Sequence, residues 1–162
     1  MRKQNGSSLI EVMVALFVLA IGILGVLGAQ TRSMRMSQDA HLYSQATMLV
    51  NDLYESMKSH TDSTTFARYI VHAADTDLSE PSCRALNSRC DNNSIAQWNV
   101  WKWKDNITEF LPGGEGKVEV VDGTIVAITV SFQATSLELA QTVNDSGESS
   151  DVKSQVVLTT VF

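Results

Sequence analysis

The sequence predicts an α+β fold in which a long N-terminal helix, apolar in its first half and amphipathic in its second, packs on a small antiparallel β-sheet. Three observations predict this class. Residues 12–29 form an uncharged apolar run, helical periodicity continues to about residue 59 without proline or glycine after residue 30, and the last third of the chain contains β-rich segments around an Asp-Gly turn. A chain of 162 residues has room for one such helix and one modest domain.

The apolar run is long enough to cross a bilayer, whose hydrocarbon core needs roughly 20 residues of helix. Glu11 is unexpected beside it, because a charged side chain in hydrocarbon costs on the order of 2.5 to 3.5 kcal/mol. Such a residue usually has a partner and a function. The leader before it, residues 1–6, carries Arg2 and Lys3, which predicts a cytoplasmic N-terminus and an exported C-terminal part.

The leader differs from an ordinary secretory signal, in which an apolar stretch of about 7 to 15 residues precedes a small-residue cleavage site. Here the apolar stretch is longer, and the conspicuous small residue, Gly6, precedes it. A basic leader, Gly6, two residues, Leu-Ile-Glu and a long apolar helix resemble the class III signal of type IV pilins and pseudopilins. The resemblance implies a type IV pilin-like fold, cleavage by a prepilin peptidase between Gly6 and Ser7, and N-methylation of Ser7. Ser7 stands where related proteins most often have phenylalanine, and cleavage is expected to survive this departure.

Cleavage after Gly6 would create an α-amine on Ser7 that is largely protonated near neutral pH. Glu11 would lie one helical turn away, and a carboxylate in the first turn complements the positive end of a helix. Among helices that stack with an axial offset, the amine of one chain can meet the carboxylate of another, which lowers the desolvation cost of both. We therefore predict that Glu11 sets register or recruitment during filament assembly. The alternative is a helix-start residue in a plain membrane anchor.

The long helix is predicted to have two halves with different roles. Residues 7–30 form a transmembrane or filament-core half, and residues 31–59 form an amphipathic half that serves as the spine of the exported domain at residues 60–162. Apolar residues of the second half recur at three- and four-residue steps. They are Met36, Ala40, Tyr43, Thr47, Val50, Tyr54 and Met57, in a stripe broadened by Leu42, Ala46, Leu49 and Leu53.

Gly22, Gly25 and Gly28 interrupt good helix formers at three-residue spacing. Small residues let membrane helices approach closely, and each glycine weakens a helix by about 1 kcal/mol relative to alanine. They are candidate helix-packing or local-unwinding positions; ordinary tolerance of glycine in membrane helices is the alternative. Major pilins often carry a proline in this stretch, and this chain has none.

The exported part is predicted to contain a loop with a helical turn or two at residues 60–81 and a helix at residues 94–110, capped by Asn93. Leu111-Pro112-Gly113-Gly114 is a strong stop signal. Residues 117–121 and 124–132 then flank Asp122-Gly123 as a two-residue hairpin. With a further strand at residues 153–162, they predict a three- or four-stranded antiparallel sheet.

Cys83 and Cys90 are the two cysteines, and their spacing fits neither a CxxC redox pair nor a four-ligand zinc site. An exported domain meets an oxidising compartment, which favours a disulfide over two thiols. Closing so short a loop would stabilise the domain by about 2.5 kcal/mol in the chain-entropy interpretation.

Composition excludes several functions. The formal charge of −6 becomes −8 once Arg2 and Lys3 leave with the leader, which argues against nucleic-acid binding. No catalytic motif is present, so we expect neither an enzyme nor a cofactor nor a metal site. Two scattered groups are interpreted as ordinary polar residues and a solvated acidic loop rather than a calcium site: His41, His60 and His72, and Asp75, Asp77 and Glu80.

The tryptophans at positions 98, 101 and 103 lie at helical spacing. Aromatic residues in such a pattern are usually core, so we interpret Trp98, Trp101 and Trp103 as packing residues. The alternative is a recognition surface on which they stack against sugars or a host surface if exposed.

A narrower resemblance covers the anchor and residues 97–132. The segments Ser8-Leu9-Ile10-Glu11-Val12, Ile21-Gly22-Ile23-Leu24-Gly25, Gln97-Trp98 and Leu111-Pro112-Gly113-Gly114 are similar to the type IV pilus modification proteins of the PilV class. The resemblance implies a low-abundance minor pilin that helps initiate pilus assembly. It also implies the bacterial inner membrane and then the pilus as locations, and other minor and major pilins, the prepilin peptidase and the inner-membrane assembly platform as partners. The alternatives are a minor pseudopilin of a type II secretion system, whose leader looks much the same, and a single-pass membrane-anchored adhesin.

Overall fold

The computed structural model describes residues 7–59, 63–75, 78, 80, 90–134 and 153–161. Helix α1 spans Ser7–Lys58, and a short α2, Ser63–Phe66, leads into a 3₁₀ segment, Ala67–Tyr69. Helix α3 spans Asn92–Phe110 and precedes three strands, β1 (Glu115–Asp122), β2 (Ile125–Phe132) and β3 (Ser154–Val161), which pair antiparallel in the order β1-β2-β3. The chain divides into a compact unit that ends at Gln38 and another that begins at Asp39. The predicted α+β class with a long N-terminal helix is confirmed.

The core of the second unit lies between helical residues of α1 and α3 and one face of the sheet. Its α1 members are Ala46, Leu49, Val50, Leu53 and Met57; its sheet members are Val118, Val126, Ile128, Val130 and Phe132. The predicted stripe on α1 was wrong in part, because Met36, Ala40 and Thr47 are exposed. Val50 and Met57 of that stripe are buried, and so are Ala46, Leu49 and Leu53 of the set that broadens it. The set from Ala46 to Met57 repeats at three and four residues without a polar member, whereas Thr47 interrupts the stripe first favoured.

Helix α3 begins and ends at polar signals in the sequence. The Asp91 carboxylate accepts a hydrogen bond from the Ser94 backbone N–H at 2.9 Å, which makes Asp91 the cap in place of the predicted Asn93. Aspartate caps a helix as well as asparagine does, so the prediction of Asn93 overlooked a suitable residue two positions earlier. The helix ends at Phe110 as predicted, and the next turn uses Gly113 at a φ of +59°, a conformation that favours glycine.

The hairpin forms with its loop displaced by one residue from the prediction. Asp122 pairs with Ile125, so Gly123 and Thr124 form the loop, and Gly123 has a φ of +50°. The register shifts between Val120 and Asp122. That irregularity keeps Val118 opposite Ile128, both fully buried. An Asp-Gly loop with a regular ladder would have slipped the pairing by one residue and turned one strand's apolar face outward.

The connection between α1 and α3 contributes more than the predicted loop. Val71 forms an isolated antiparallel bridge with Val118 of β1, with N–O distances of 3.1 and 2.9 Å. Tyr69, two residues before Val71, is fully buried. The segment therefore covers part of the outer edge of β1, which protects backbone groups that an edge strand leaves unpaired.

Gly116 marks the closest approach of β1 to α3. A β-carbon built there would lie 2.5 Å from Cδ1 of Ile107 and 2.6 Å from Cη2 of Trp103. We expect Gly116→Ala to lower the free energy of unfolding by about 1 to 3 kcal/mol, the usual effect of overpacking a close-packed core. Thermal and urea unfolding of the full chain in detergent measures it. Gly28→Ala is the matched control, because a β-carbon there meets nothing within 4 Å; equal unfolding curves for the two variants would contradict the packing.

Candidate functional site

The apolar half of α1 has no cover within the described chain. Its large apolar residues from Leu9 to Leu27 are between 51 and 68% exposed. Among the described residues, α1 is the one helix long and apolar enough to cross a membrane by length and composition. Such a continuous apolar surface marks a region that contacts lipid or another protein.

Glu11 is the single charged residue between Ser7 and Thr31. The helix begins at Ser7, so a chain starting there would carry its α-amine on the first helical residue. Glu11 is exposed and lies four residues on, at the start of the second turn; the first turn contains no acidic residue. The predicted placement of this carboxylate in the first turn is therefore wrong by one residue. Its interaction with the helix dipole is weak, since that effect falls off within one turn.

The three glycines share a face of the helix with this carboxylate. At 3.6 residues per turn, Glu11, Gly22, Gly25 and Gly28 fall within an arc of about 120°. A β-carbon at any of the glycines would meet nothing within 4 Å. This face therefore presents one carboxylate followed by three shallow positions where another helix can approach closely. Close approach itself stays a prediction.

Two residues at the start of the amphipathic half escaped the sequence analysis. Arg32 and Arg35 come shortly after the apolar run, and both are exposed. The signal that identifies them is simple: together with Glu11, they are the charged residues of 7–38. They extend the same face, so the six residues fall within about 140°.

The tryptophans of the second unit are divided between core and surface. Trp103 is 3% exposed and donates its indole N–H to the Leu49 carbonyl oxygen of α1 at 2.9 Å. The packing interpretation is correct for this residue. Trp98 and Trp101 are half-buried and line two shallow clefts of about 130 and 150 Å³. Neither presents a fully exposed ring for stacking.

Lys104 forms hydrogen bonds with the segment that contains Asp75, one of the predicted acidic residues. Its ammonium donates to the carbonyl oxygens of His72 and Asp75, the latter at 2.8 Å, and the Asp75 carboxylate accepts from the His72 backbone N–H. Burial lowers the pKa of Lys104, and the charges of Asp75 and Glu115 oppose the shift. A lysine therefore supplies the positive charge at this loop. Among the described residues no group of three or more His, Cys, Asp or Glu is placed to hold a metal ion.

Tyr69 joins the two helices of the second unit. Its hydroxyl donates to the Ser56 carbonyl oxygen at 3.2 Å and accepts from the Asn99 side-chain amide at 3.0 Å. Burial raises the pKa of the Tyr69 phenol, and the bond from Asn99 opposes the shift.

This phenol predicts a loss of stability in alkali. The unfolded chain releases the proton near pH 10, whereas the folded chain retains it to higher pH. The folded state then binds more protons, so the free energy of unfolding falls as pH rises beyond 10. We expect the difference in ultraviolet absorbance titration between the wild type and Tyr69→Phe to have its midpoint above 10. A midpoint at or below 10 contradicts the burial of this hydroxyl.

Some predicted positions lie outside the described residues: Gly6, His60, Asp77 and Cys83. Cys90, which is described, is disulfide-bonded. Because Cys83 is outside the description, the pairing of the two cysteines stays a prediction.

Residues 1–27 match the family model described as the prokaryotic N-terminal methylation motif. The match covers the leader, the proposed cleavage junction, Glu11 and most of the apolar run. This motif indicates a prepilin of the type IV pilin or pseudopilin kind. No curated protein and no solved structure matches the chain.

Proposed function

We propose that this chain is a minor pilin, a low-abundance structural subunit that helps to initiate assembly of a type IV pilus. The observation that carries the proposal is the apolar half of α1, which is exposed along its length and interrupted by one carboxylate. A helix of this kind is stable only in lipid or against other apolar helices. A subunit that passes from membrane to filament meets both surroundings in turn.

The prepilin leader sets the first step. Prepilin peptidase cuts between Gly6 and Ser7 on the cytoplasmic side and removes the two cations Arg2 and Lys3. Those cations orient the precursor in the inner membrane. If they remained, both cations would have to pass through the bilayer core as the helix left the membrane, at a cost of about 2.5 to 3.5 kcal/mol each. Cleavage therefore removes an obstacle to extraction; methylation of the Ser7 amine is part of the same proposal.

Glu11 acts at the second step. The Ser7 amine and the Glu11 carboxylate lie four positions apart on the same helix, and both are poorly solvated in lipid. A neighbouring minor or major pilin, offset along the filament axis, supplies the opposite charge to each. This pairing of opposite charges between neighbouring chains takes place at the assembly platform in the inner membrane. Gly22, Gly25 and Gly28 permit close approach on the face that carries Glu11.

A sequence resemblance in the exported unit supports the assignment to the minor subunits. Its resemblance to the pilus modification proteins rests on Gln97-Trp98 and on Leu111-Pro112-Gly113-Gly114 before the hairpin. The first segment lies within α3, and the second joins the end of α3 to β1. There the Gln133 backbone N–H donates to the Pro112 carbonyl oxygen at 2.8 Å. A disulfide between Cys83 and Cys90 would tie the segment before α3 to the cap of that helix.

A minor pseudopilin of a type II secretion system is the second candidate, because the same leader and helix serve that machinery. A deletion strain separates the two functions. Loss of surface pili with normal exoprotein secretion supports the minor pilin. Loss of secretion with normal pili supports the pseudopilin.

A single-pass membrane adhesin is the third candidate, and it requires no leader cleavage. Retained surface pili and retained secretion in the deletion strain, together with an uncleaved N-terminus on the protein extracted from the parent strain, would support it. Complementation with Gly6→Val, which should block the peptidase, distinguishes this candidate further: an adhesin keeps its activity, whereas a pilin does not.

A further inference from the structure

We propose that the cleft lined by Trp98, between α1 and α3, binds a neutral carbohydrate, with one pyranose ring stacked on the indole. The cleft has a volume of about 130 Å³ and lies wholly within the unit that begins at Asp39. Carbohydrate binding goes beyond the proposed role in assembly, and it requires neither leader cleavage nor a filament.

The cleft combines an apolar floor with an accessible aromatic residue. Leu49 and Leu53 of α1 and Trp103 of α3 line it and are buried. Trp98 is half-buried, so part of its surface stays accessible. Sites for small molecules usually have such an apolar and aromatic lining, with a few polar groups that fix the orientation of the ligand. Stacking in a cleft needs only one accessible side of a ring, and burial of the rest holds that ring in place.

Several polar groups of the lining are available to a ligand. Among the described residues, the Asp52 carboxylate, the Trp98 indole N–H and the Asn106 amide form no hydrogen bond or ion pair. The Asn99 amide donates to the Tyr69 hydroxyl at 3.0 Å, which leaves the Asn99 side-chain oxygen as an acceptor. Donors and acceptors are therefore both present. A sugar hydroxyl donates and accepts, so a carbohydrate can use both kinds of group.

The cleft lined by Trp101 is different in this respect. Its charged side chains are already used within the chain: Asp105 and Glu115 each form an ion pair, and Lys104 donates to two backbone carbonyl oxygens. The two clefts are similar in volume, about 130 and 150 Å³. The available polar groups, and not the size, therefore distinguish the Trp98 cleft as the binding site.

The charges of the lining favour a neutral ligand. Asp52 is its one acidic residue and Lys102 its one basic residue, so their formal charges cancel. The Lys102 ammonium also lies 3.0 Å from the Asp105 carboxylate. An anion would be repelled by Asp52, and a cation would compete with the lysine that the chain itself supplies. A polyhydroxylated neutral ligand meets neither obstacle.

Saturation-transfer difference NMR of the full chain in nanodiscs tests the proposal, because lipid discs avoid detergents with sugar headgroups. The probes are the methyl glycosides of glucose, galactose, mannose and N-acetylglucosamine. At least one should give a saturable signal on its ring protons. Trp98→Ala should weaken that binding by roughly tenfold, since it removes the aromatic contact. Trp101→Ala is the matched control, with the same truncation on the same helix, and it should bind as the wild type does.

A second variant and a competitor complete the test. Asn106→Ala removes an amide that has no partner among the described residues, so its circular dichroism spectrum should be unchanged. Its binding should weaken by roughly fivefold, the usual effect of one hydrogen bond. Choline, a cation that also stacks on aromatic rings, should not displace the glycoside.

Three results overturn the proposal. They are the absence of a saturable signal from all four glycosides, equal binding by the wild type and Trp98→Ala, and displacement of the glycoside by choline, which would assign the cleft to a cation. Because the measurement requires no filament, its failure is distinct from failure of pilus assembly, which the deletion strain reports.

Discussion

Glu11→Ala should enter filaments at least tenfold less often than the wild type, while its leader is still removed. The variant leaves the Ser7 amine of its neighbour without a carboxylate in an apolar bundle. An uncompensated buried charge commonly costs about 3 to 5 kcal/mol, more than two decades in an equilibrium. Immunoblots of sheared pili, normalised to the membrane fraction, measure incorporation. Glu11→Asp keeps the charge on a shorter side chain and should retain part of the activity.

Glu55→Ala is the matched control for this experiment. It makes the same change on the same helix, at an exposed residue whose carboxylate lies 3.9 Å from the Lys58 ammonium. Such a surface pair contributes about 0 to 1 kcal/mol, so incorporation should be normal. Normal incorporation of Glu11→Ala, with the control also normal, would remove the assembly role of this carboxylate and leave the plain-anchor interpretation.

Trp103→Ala should lower the free energy of unfolding of the second unit by about 3 to 5 kcal/mol, the usual cost of truncating a buried large aromatic side chain. The indole fills the space between α1, α3 and β1, and its N–H bonds the Leu49 carbonyl oxygen. Trp103→Phe keeps a ring but loses the hydrogen bond and part of the contact area, so its effect should be intermediate. Urea unfolding of the full chain in detergent, followed by near-ultraviolet circular dichroism, measures both.

Trp98→Ala is the control for this second experiment, because the same truncation is made on the same helix at a half-buried residue. We expect its effect to be less than half that of Trp103→Ala. If Trp98→Ala were the more damaging variant, α3 would be rotated relative to its described position. Burial of Trp103 would then no longer account for the packing of the second unit.

The elements with regular periodicity could be predicted from the sequence. The apolar run and the absence of proline or glycine after residue 30 predicted α1 to within a residue of its end at Lys58. Gly113 and Gly114 correctly ended α3. The hairpin was predicted for its Asp-Gly signal, yet the loop moved by one residue because Val118 and Ile128 must both face the core. The free energy gained by burying this pair of apolar residues outweighs the local preference for an Asp-Gly turn.

Features that depend on tertiary contacts could not be predicted. Lys104 is an unremarkable cation in the sequence, and its role depends on two carbonyl groups about thirty residues away. No repeat or turn signal in the sequence indicates the bridge between Val71 and Val118. Trp103 and Trp101 lie two residues apart in one helical pattern, and only the arrangement of α1 and β1 decides that Trp103 is buried.

Some residues of the candidate site could be predicted from the sequence, and others could not. Gly6, Ser7 and Glu11 are read directly from a short motif, because a peptidase recognises local sequence. Arg32 and Arg35 were overlooked because they lie beyond that motif, which ends at residue 27. The second unit offers no motif of comparable specificity, so its partners depend on surface shape that the sequence does not encode locally.

N-terminal sequencing of the protein extracted from membranes of a strain with an active prepilin peptidase tests the central claim most directly. The claim is that the apolar half of α1 is a processed helix whose new amine and Glu11 act in assembly. The expected first residue is Ser7, with or without a methyl group on its nitrogen. Extracted protein that begins at Met1 in that strain would contradict the account.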